Sequence, residues 1–120
     1  MSEQSERESL SDLGQALKLD SHSASPPQEL VLFRTVILQA ILDATKPATH
    51  NEPEEEALAR EQAISWFFAS IGVTAQDFMD VCDMAGLDPN YVRTFAYKVL
   101  RTREINYVRK RINTVLNGSK

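Results

Sequence analysis

The side chains best suited to specific recognition chemistry follow a Gly-Leu-Asp-Pro turn in the second half of this sequence. Asn can donate one hydrogen bond and accept another at the edge of adenine, and Arg can donate two hydrogen bonds at the edge of guanine. Asn90 and Arg93 supply these residue types, while Thr94 and Tyr97 suit contacts with phosphate oxygens or a thymine methyl group. Their spacing predicts that all four point outward from one helix. The hypothesis is that this helix reads DNA.

Basic residues continue beyond these four, although the formal net charge of the chain is -4. Residues 1–83 hold 5 Lys/Arg and 15 Asp/Glu, whereas residues 84–120 hold 8 Lys/Arg and 2 Asp/Glu. This asymmetry indicates a polyanion or an acidic protein as partner, and the alternative is that the two halves attract each other. Phosphate contacts are predicted for Lys98, Arg101 and Arg103, and contacts with the DNA backbone or with another partner for the cluster Arg109, Lys110 and Arg111.

Residue types for catalysis or metal binding are sparse. His22 falls in a polar tail and His50 in a proline-flanked loop, so neither is expected to be held for acid–base work. Cys82 is the single cysteine, which excludes an intramolecular disulfide and a cysteine-built zinc site. The acidic run at 54–56 fits a solvated helix start better than a metal site. We therefore expect no enzymatic activity and no cofactor.

Helical spacing of apolar residues dominates the chain and predicts an all-α fold, a compact bundle of four to five helices. The hydrophobic content of 42% is sufficient for a packed core in 120 residues. The first predicted helix is apolar nearly all round, which is typical of a helix at the centre of a core or in a subunit interface. The predicted helices cover about residues 28–46, 53–70, 74–85, 89–103 and 105–116, with Gly72 closing the second and Thr74, paired with Asp77, capping the third.

Residues 1–27 are predicted to form a disordered polar tail, and residues 28–120 a helical DNA-binding domain with a basic C-terminal segment. The tail contains one apolar pattern (Leu10, Leu13, Ala16, Leu17 and Leu19) that could form a brief amphipathic turn and order only against a partner. The sequence has no apolar run long enough to cross a bilayer and no secretory pattern at its start. The cytoplasm is the expected location, with no membrane partner.

The segment 78–95 meets the steric requirements of a helix-turn-helix. Cys82 supplies a small residue where the two helices would cross, and Gly86 supplies a left-handed turn four residues later. Asp88 is placed to cap the second helix, with Pro89 at its first position. The apolar residues expected to hold the crossing are Val81, Ala85, Leu87, Val92 and Phe95. A helix–glycine–helix corner without a nucleic-acid role remains the alternative.

The run from Trp66 to Arg93 also resembles small helix-turn-helix transcription regulators of alphaproteobacterial prophages and gene transfer agents. The matching residues are Trp66, Asp77, Phe78, Val81, Cys82, Ala85, Gly86, Leu87, Asp88, Pro89, Val92 and Arg93. The resemblance spans about residues 54–97 and implies a corner similar to that of the bacterial replication initiator's DNA-binding domain. It further implies RNA polymerase and integration host factor as partners.

Three functions remain open from the sequence. The first is an activator of a phage-like or gene-transfer-agent gene cluster that reads double-stranded DNA. The second is an antitermination factor that binds RNA polymerase. The third is a phage-type packaging protein that binds DNA as a homo-oligomer, an idea motivated by the apolar helix between Leu30 and Leu42.

Overall fold

The computed structural model describes residues 27–118 of the chain, and within this range the fold is entirely α-helical. The helices are α1 (Gln28–Ala44), α2 (Glu54–Phe68), α3 (Gly72–Ala85), α4 (Pro89–Arg101) and α5 (Ile105–Leu116). The all-α prediction is confirmed. Helices α1, α2 and α4 each end two residues before their predicted boundaries. The predicted tail lies outside the described residues except for Pro27.

Helix α1 is the central element of the bundle and packs against α2, α3 and α5. One of its faces is buried through Ile37, Leu38, Ile41, Leu42 and Ala44. This burial confirms that the apolar first helix lies in the core. On the opposite side of the helix, Leu32 and Val36 are not covered by any other part of residues 27–118 and remain exposed to solvent.

The junction between α2 and α3 differs from the prediction. Helix α2 ends at Phe68, and Gly72 is the first residue of α3, where its φ of 92° suits a residue without a side chain. The predicted cap at Thr74 is wrong, since no side chain caps the start of α3. The carboxylate of Asp77 instead accepts a 2.7 Å hydrogen bond from the indole nitrogen of Trp66, which ties α3 to α2.

Arginine side chains from other helices close the C-terminal ends of the first three helices. Carbonyl groups in the last turn of a helix have no partner within the helix, and a cation is favoured beside them. Arg109 from α5 reaches the end of α1, Arg93 from α4 reaches the end of α2, and Arg34 from α1 reaches the end of α3. Three of the basic residues therefore hold the bundle together.

Candidate nucleic-acid interface

The corner between α3 and α4 contains the left-handed turn that the sequence predicts at Gly86. Gly86 adopts a left-handed conformation, with φ 71° and ψ 32°. Its N–H donates to the carbonyl of Asp83 at 3.0 Å, and the N–H of Leu87 donates to the carbonyl of Cys82 at 2.9 Å. These two bonds form a Schellman motif, which satisfies carbonyls at the end of α3. Three residues, 86–88, join α3 to α4.

The start of α4 is capped as predicted. The Asp88 carboxylate accepts a hydrogen bond of 2.8 Å from the backbone N–H of Asn90, and Pro89 occupies the first helical position. Because this carboxylate is directed at helix amides, the negative charge is partly offset by the positive end of the helix dipole. The cap fixes where α4 begins and therefore which of its side chains point outward.

Helix α1 contacts this corner through Leu30 and Arg34. The Arg34 Nε donates to the carbonyl of Ala85 at 2.8 Å, and the Arg34 side chain is buried, which lowers the pKa of its guanidinium. A Cβ added at Gly86 would lie 3.2 Å from Cδ2 of Leu30. The sequence interpretation did not include Arg34, although a lone cation within an apolar helix is a signal that carbonyl acceptors must lie nearby.

The face of α4 that points away from the bundle is open to solvent. Val92, Phe95, Ala96 and Val99 are buried against the bundle. The exposed residues at helical spacing form what we call the α4 stripe: Asn90, Thr94, Tyr97, Lys98 and Arg101. Five of the seven predicted contact residues up to Arg103 thus lie together on one helix face.

Local contacts order parts of the α4 stripe. The Thr94 hydroxyl donates to the carbonyl of Asn90 at 2.9 Å, and the Arg101 guanidinium lies 5.1 Å from the centre of the Tyr97 ring. Lys98 and Arg101 occupy the last turn of α4, where cations also stabilise the helix dipole. The stripe therefore presents amide, hydroxyl, aromatic and cationic groups in that order along the helix.

Arg93 does not belong to this exposed stripe, and its predicted outward orientation is wrong. Its Nε donates to the carbonyl of Phe67 at 2.7 Å and its Nη2 to the carbonyl of Ala69 at 2.8 Å. The guanidinium also lies 4.7 Å from the centre of the Phe78 ring. Two donors that base recognition would need are thus used within the fold.

Arg109 is likewise turned inward, which divides the predicted basic cluster on α5. Its Nη1 donates to the carbonyl of Leu42 at 2.6 Å and to the hydroxyl oxygen of Thr45 at 2.7 Å. Lys110 and Arg111 are exposed on α5. Only these two members of the cluster are presented to solvent.

Arg103 lies between α4 and α5 and is also exposed. It continues the cationic end of the α4 stripe in sequence, after Lys98 and Arg101. Its contact with phosphate, like the contacts assigned to the other exposed residues, stays a prediction.

Cys82 lies on α3, four residues before Gly86, and has no exposed surface. Burial raises the pKa of its thiol to about 11, and the nearby charge of Arg93 only partly opposes this effect. A thiol rather than a thiolate is therefore present near neutral pH. This burial is consistent with the packing role expected for Cys82.

Comparison with protein-family models, with curated proteins and with solved structures yields no match. Among the helices between residues 27 and 118, none combines the length and apolar character required for a membrane span. The same range contains no group of three or more His, Cys, Asp or Glu side chains arranged to hold a metal ion.

Proposed function

We propose that this protein is a DNA-binding transcription regulator whose helix-turn-helix is formed by α3 and α4, and that it activates a phage-like or gene-transfer-agent gene cluster. Asn90, Thr94 and Tyr97 contact bases. Lys98, Arg101 and Arg103 contact phosphates, and Lys110 and Arg111 add contacts to the DNA backbone. Arg93 is left out of the contact set because its donors bind carbonyls of the α2 end.

The observation that supports this proposal most directly is the pairing of a tightly fixed corner with the exposed α4 stripe. A recognition helix must be held rigidly while one face remains free, because base contacts require accurate placement of donors and acceptors. Here Gly86 and Asp88 define the start of α4, and its buried face anchors it to the bundle. The free face carries residue types that suit both base edges and phosphates.

Genome-wide mapping of bound DNA would supply a cognate fragment, and fluorescence anisotropy would then compare it with random DNA. We expect Asn90→Ala to weaken binding to the cognate fragment by about 1–3 kcal/mol with little effect on random DNA. We expect Lys98→Ala to weaken both and to reduce the slope of log K against log salt by about one. Lys46→Ala removes the same charge in the α1–α2 loop and should leave the slope unchanged.

Two results would refute the proposal. One is that alanine variants of the α4 stripe bind both cognate and random DNA as tightly as the parent protein does. The other is equal sensitivity of the salt slope to Lys98→Ala and Lys46→Ala, which would mean that binding responds only to net charge.

One observation favours the second candidate, an antitermination factor that binds RNA polymerase. Ile71 and Val73, at the α2–α3 junction, are 86% and 87% exposed. Exposed aliphatic side chains that are close in the chain are typical of protein contact surfaces. Pull-down with core RNA polymerase in the absence of DNA tests this candidate: Ile71→Ser should abolish capture, whereas Asn90→Ala should not.

A further inference from the structure

A second candidate surface is formed by α1 and α2 and includes no residue of the α4 stripe. An open groove of about 540 Å³ runs between α1 and α2. Its walls include Leu32, Val36 and Trp66, and alanines such as Ala40 and Ala63 leave space between them. Leu32 is 59% exposed and Val36 is 40% exposed, so these apolar side chains face water. Such a groove is suited to the apolar face of a helix.

We propose that residues 10–19 of this same chain dock in the groove as a short amphipathic helix. Leu10, Leu13 and Leu17 recur at spacings of three and four, which places them on one helical face, with Ala16 beside them. Ten helical residues extend about 15 Å. The groove wall on α1 extends from Leu32 to Asp43, which corresponds to about 17 Å. The docking segment and the groove therefore match in length and in apolar character.

The connection between the two also permits docking. Residues 20–27 join the docking segment to α1, which begins at Gln28, close to the Leu32 end of the groove. Eight extended residues span at most about 26–29 Å, more than the length of the groove, so the segment can lie in either direction. A short tether also holds the segment at a local concentration in the millimolar range. A second copy of the chain at micromolar concentration would compete poorly for the same groove.

Gly14 lies in the middle of the docking segment and disfavours a helix in the isolated segment. Formation of this helix therefore depends on the apolar contacts that the groove offers. This dependence makes docking sensitive to a single substitution on the apolar face.

Paramagnetic relaxation in the full chain tests the proposal. A nitroxide attached after Gln15→Cys would lie on the side of the docking segment opposite Leu10, Leu13 and Leu17. Native Cys82 should not compete for the label, because it is fully buried and its thiol pKa is raised to about 11. We expect strong broadening of the backbone amide signals of Val36 and Ala63, which line the two walls of the groove.

Two matched variants and one mixing experiment decide the source of the broadening. Leu13→Glu should abolish it, whereas Ser11→Glu, which adds the same charge on the other face, should preserve it. Mixing isotope-labelled protein with spin-labelled protein of natural isotope content should give no broadening. Broadening in the mixed sample would show that a second copy of the chain fills the groove. Equal broadening in the parent protein and in the Leu13→Glu variant would show that no specific docking occurs. Either result overturns the proposal. Neither depends on DNA binding.

Discussion

Replacing Arg93 by alanine separates the role that its sequence position suggested from the role that its contacts indicate. The change removes the hydrogen bonds of Nε to Phe67 and of Nη2 to Ala69, together with the contact over the Phe78 ring. A hydrogen bond from a charged group contributes about 1.5–3 kcal/mol. The side chain is half-buried, so water can partly replace it at the two carbonyls. We therefore expect the free energy of unfolding to fall by about 2–4 kcal/mol.

Chemical denaturation followed by the fluorescence of Trp66 measures this loss. Trp66 is the only tryptophan of the chain, and its ring packs edge-on against Phe67 and Phe78, beside the Arg93 site. Thermal unfolding gives a second measure. A loss of 1 kcal/mol lowers the melting temperature of a domain of this size by about 4–8 °C, so the smallest expected loss, about 2 kcal/mol, corresponds to a decrease of at least about 8 °C. Arg93→Lys should recover only part of the loss, because an ammonium group cannot reproduce the fork of the guanidinium.

Arg101→Ala is the matched control, since it removes an exposed arginine from the same helix. It should cost less than about 1 kcal/mol, through the lost contact with Tyr97 and the helix dipole. The reasoning would be refuted if Arg93→Ala left stability within about 0.5 kcal/mol of the parent while abolishing discrimination between DNA sequences. That result would return Arg93 to the predicted contact set.

Three further changes test the corner, the core and the α1–α2 loop. In chemical denaturation, Gly86→Ala should lower the free energy of unfolding by about 1–2 kcal/mol, because residue 86 has a positive φ and the added Cβ would crowd α1. Gly118→Ala should cost less, since residue 118 also has a positive φ but lies in open space. Cys82 should react with a thiol reagent at neutral pH only as the protein unfolds, and rapid reaction of the folded protein would contradict its burial. Hydrogen bonds from Arg60 hold the pKa of the Glu52 carboxyl below its ordinary value. The pair therefore stabilises the fold at any pH above the pKa that Glu52 has in the unfolded chain. This stabilisation is lost as the pH falls through the lower pKa that Glu52 has in the folded protein. The stability difference between the parent and Glu52→Gln should therefore shrink in acid; a difference that is constant with pH would exclude the ion pair as its cause.

The local features of the fold were predictable because they depend on neighbouring residues. Gly86 tolerates a left-handed turn, Asp88 accepts from a nearby amide, and apolar spacing defines the faces of the helices. The boundary at Gly72 was harder to predict from the sequence. A glycine can end one helix or begin the next, and only the tertiary path of the chain selects between these options.

The direction of the long cationic side chains was not predictable in the same way. Arg93 and Arg101 lie on the same helix, yet one closes the end of α2 and the other remains exposed. Arg109 and Lys110 are adjacent and differ similarly. A guanidinium can reach several positions at comparable cost, so its partner depends on which carbonyls other helices bring within reach.

The sequence by itself determined the helical class, the corner at Gly86 and the candidate stripe on α4, because each follows from backbone preferences and from periodicity within one segment. Only the tertiary structure decided which basic residues bind carbonyl groups within the fold. It also decided that α1 and α2 line an open apolar groove. Helix ends present unpaired carbonyls in positions fixed by packing, and Arg34, Arg93 and Arg109 bind them because segments distant in sequence meet there.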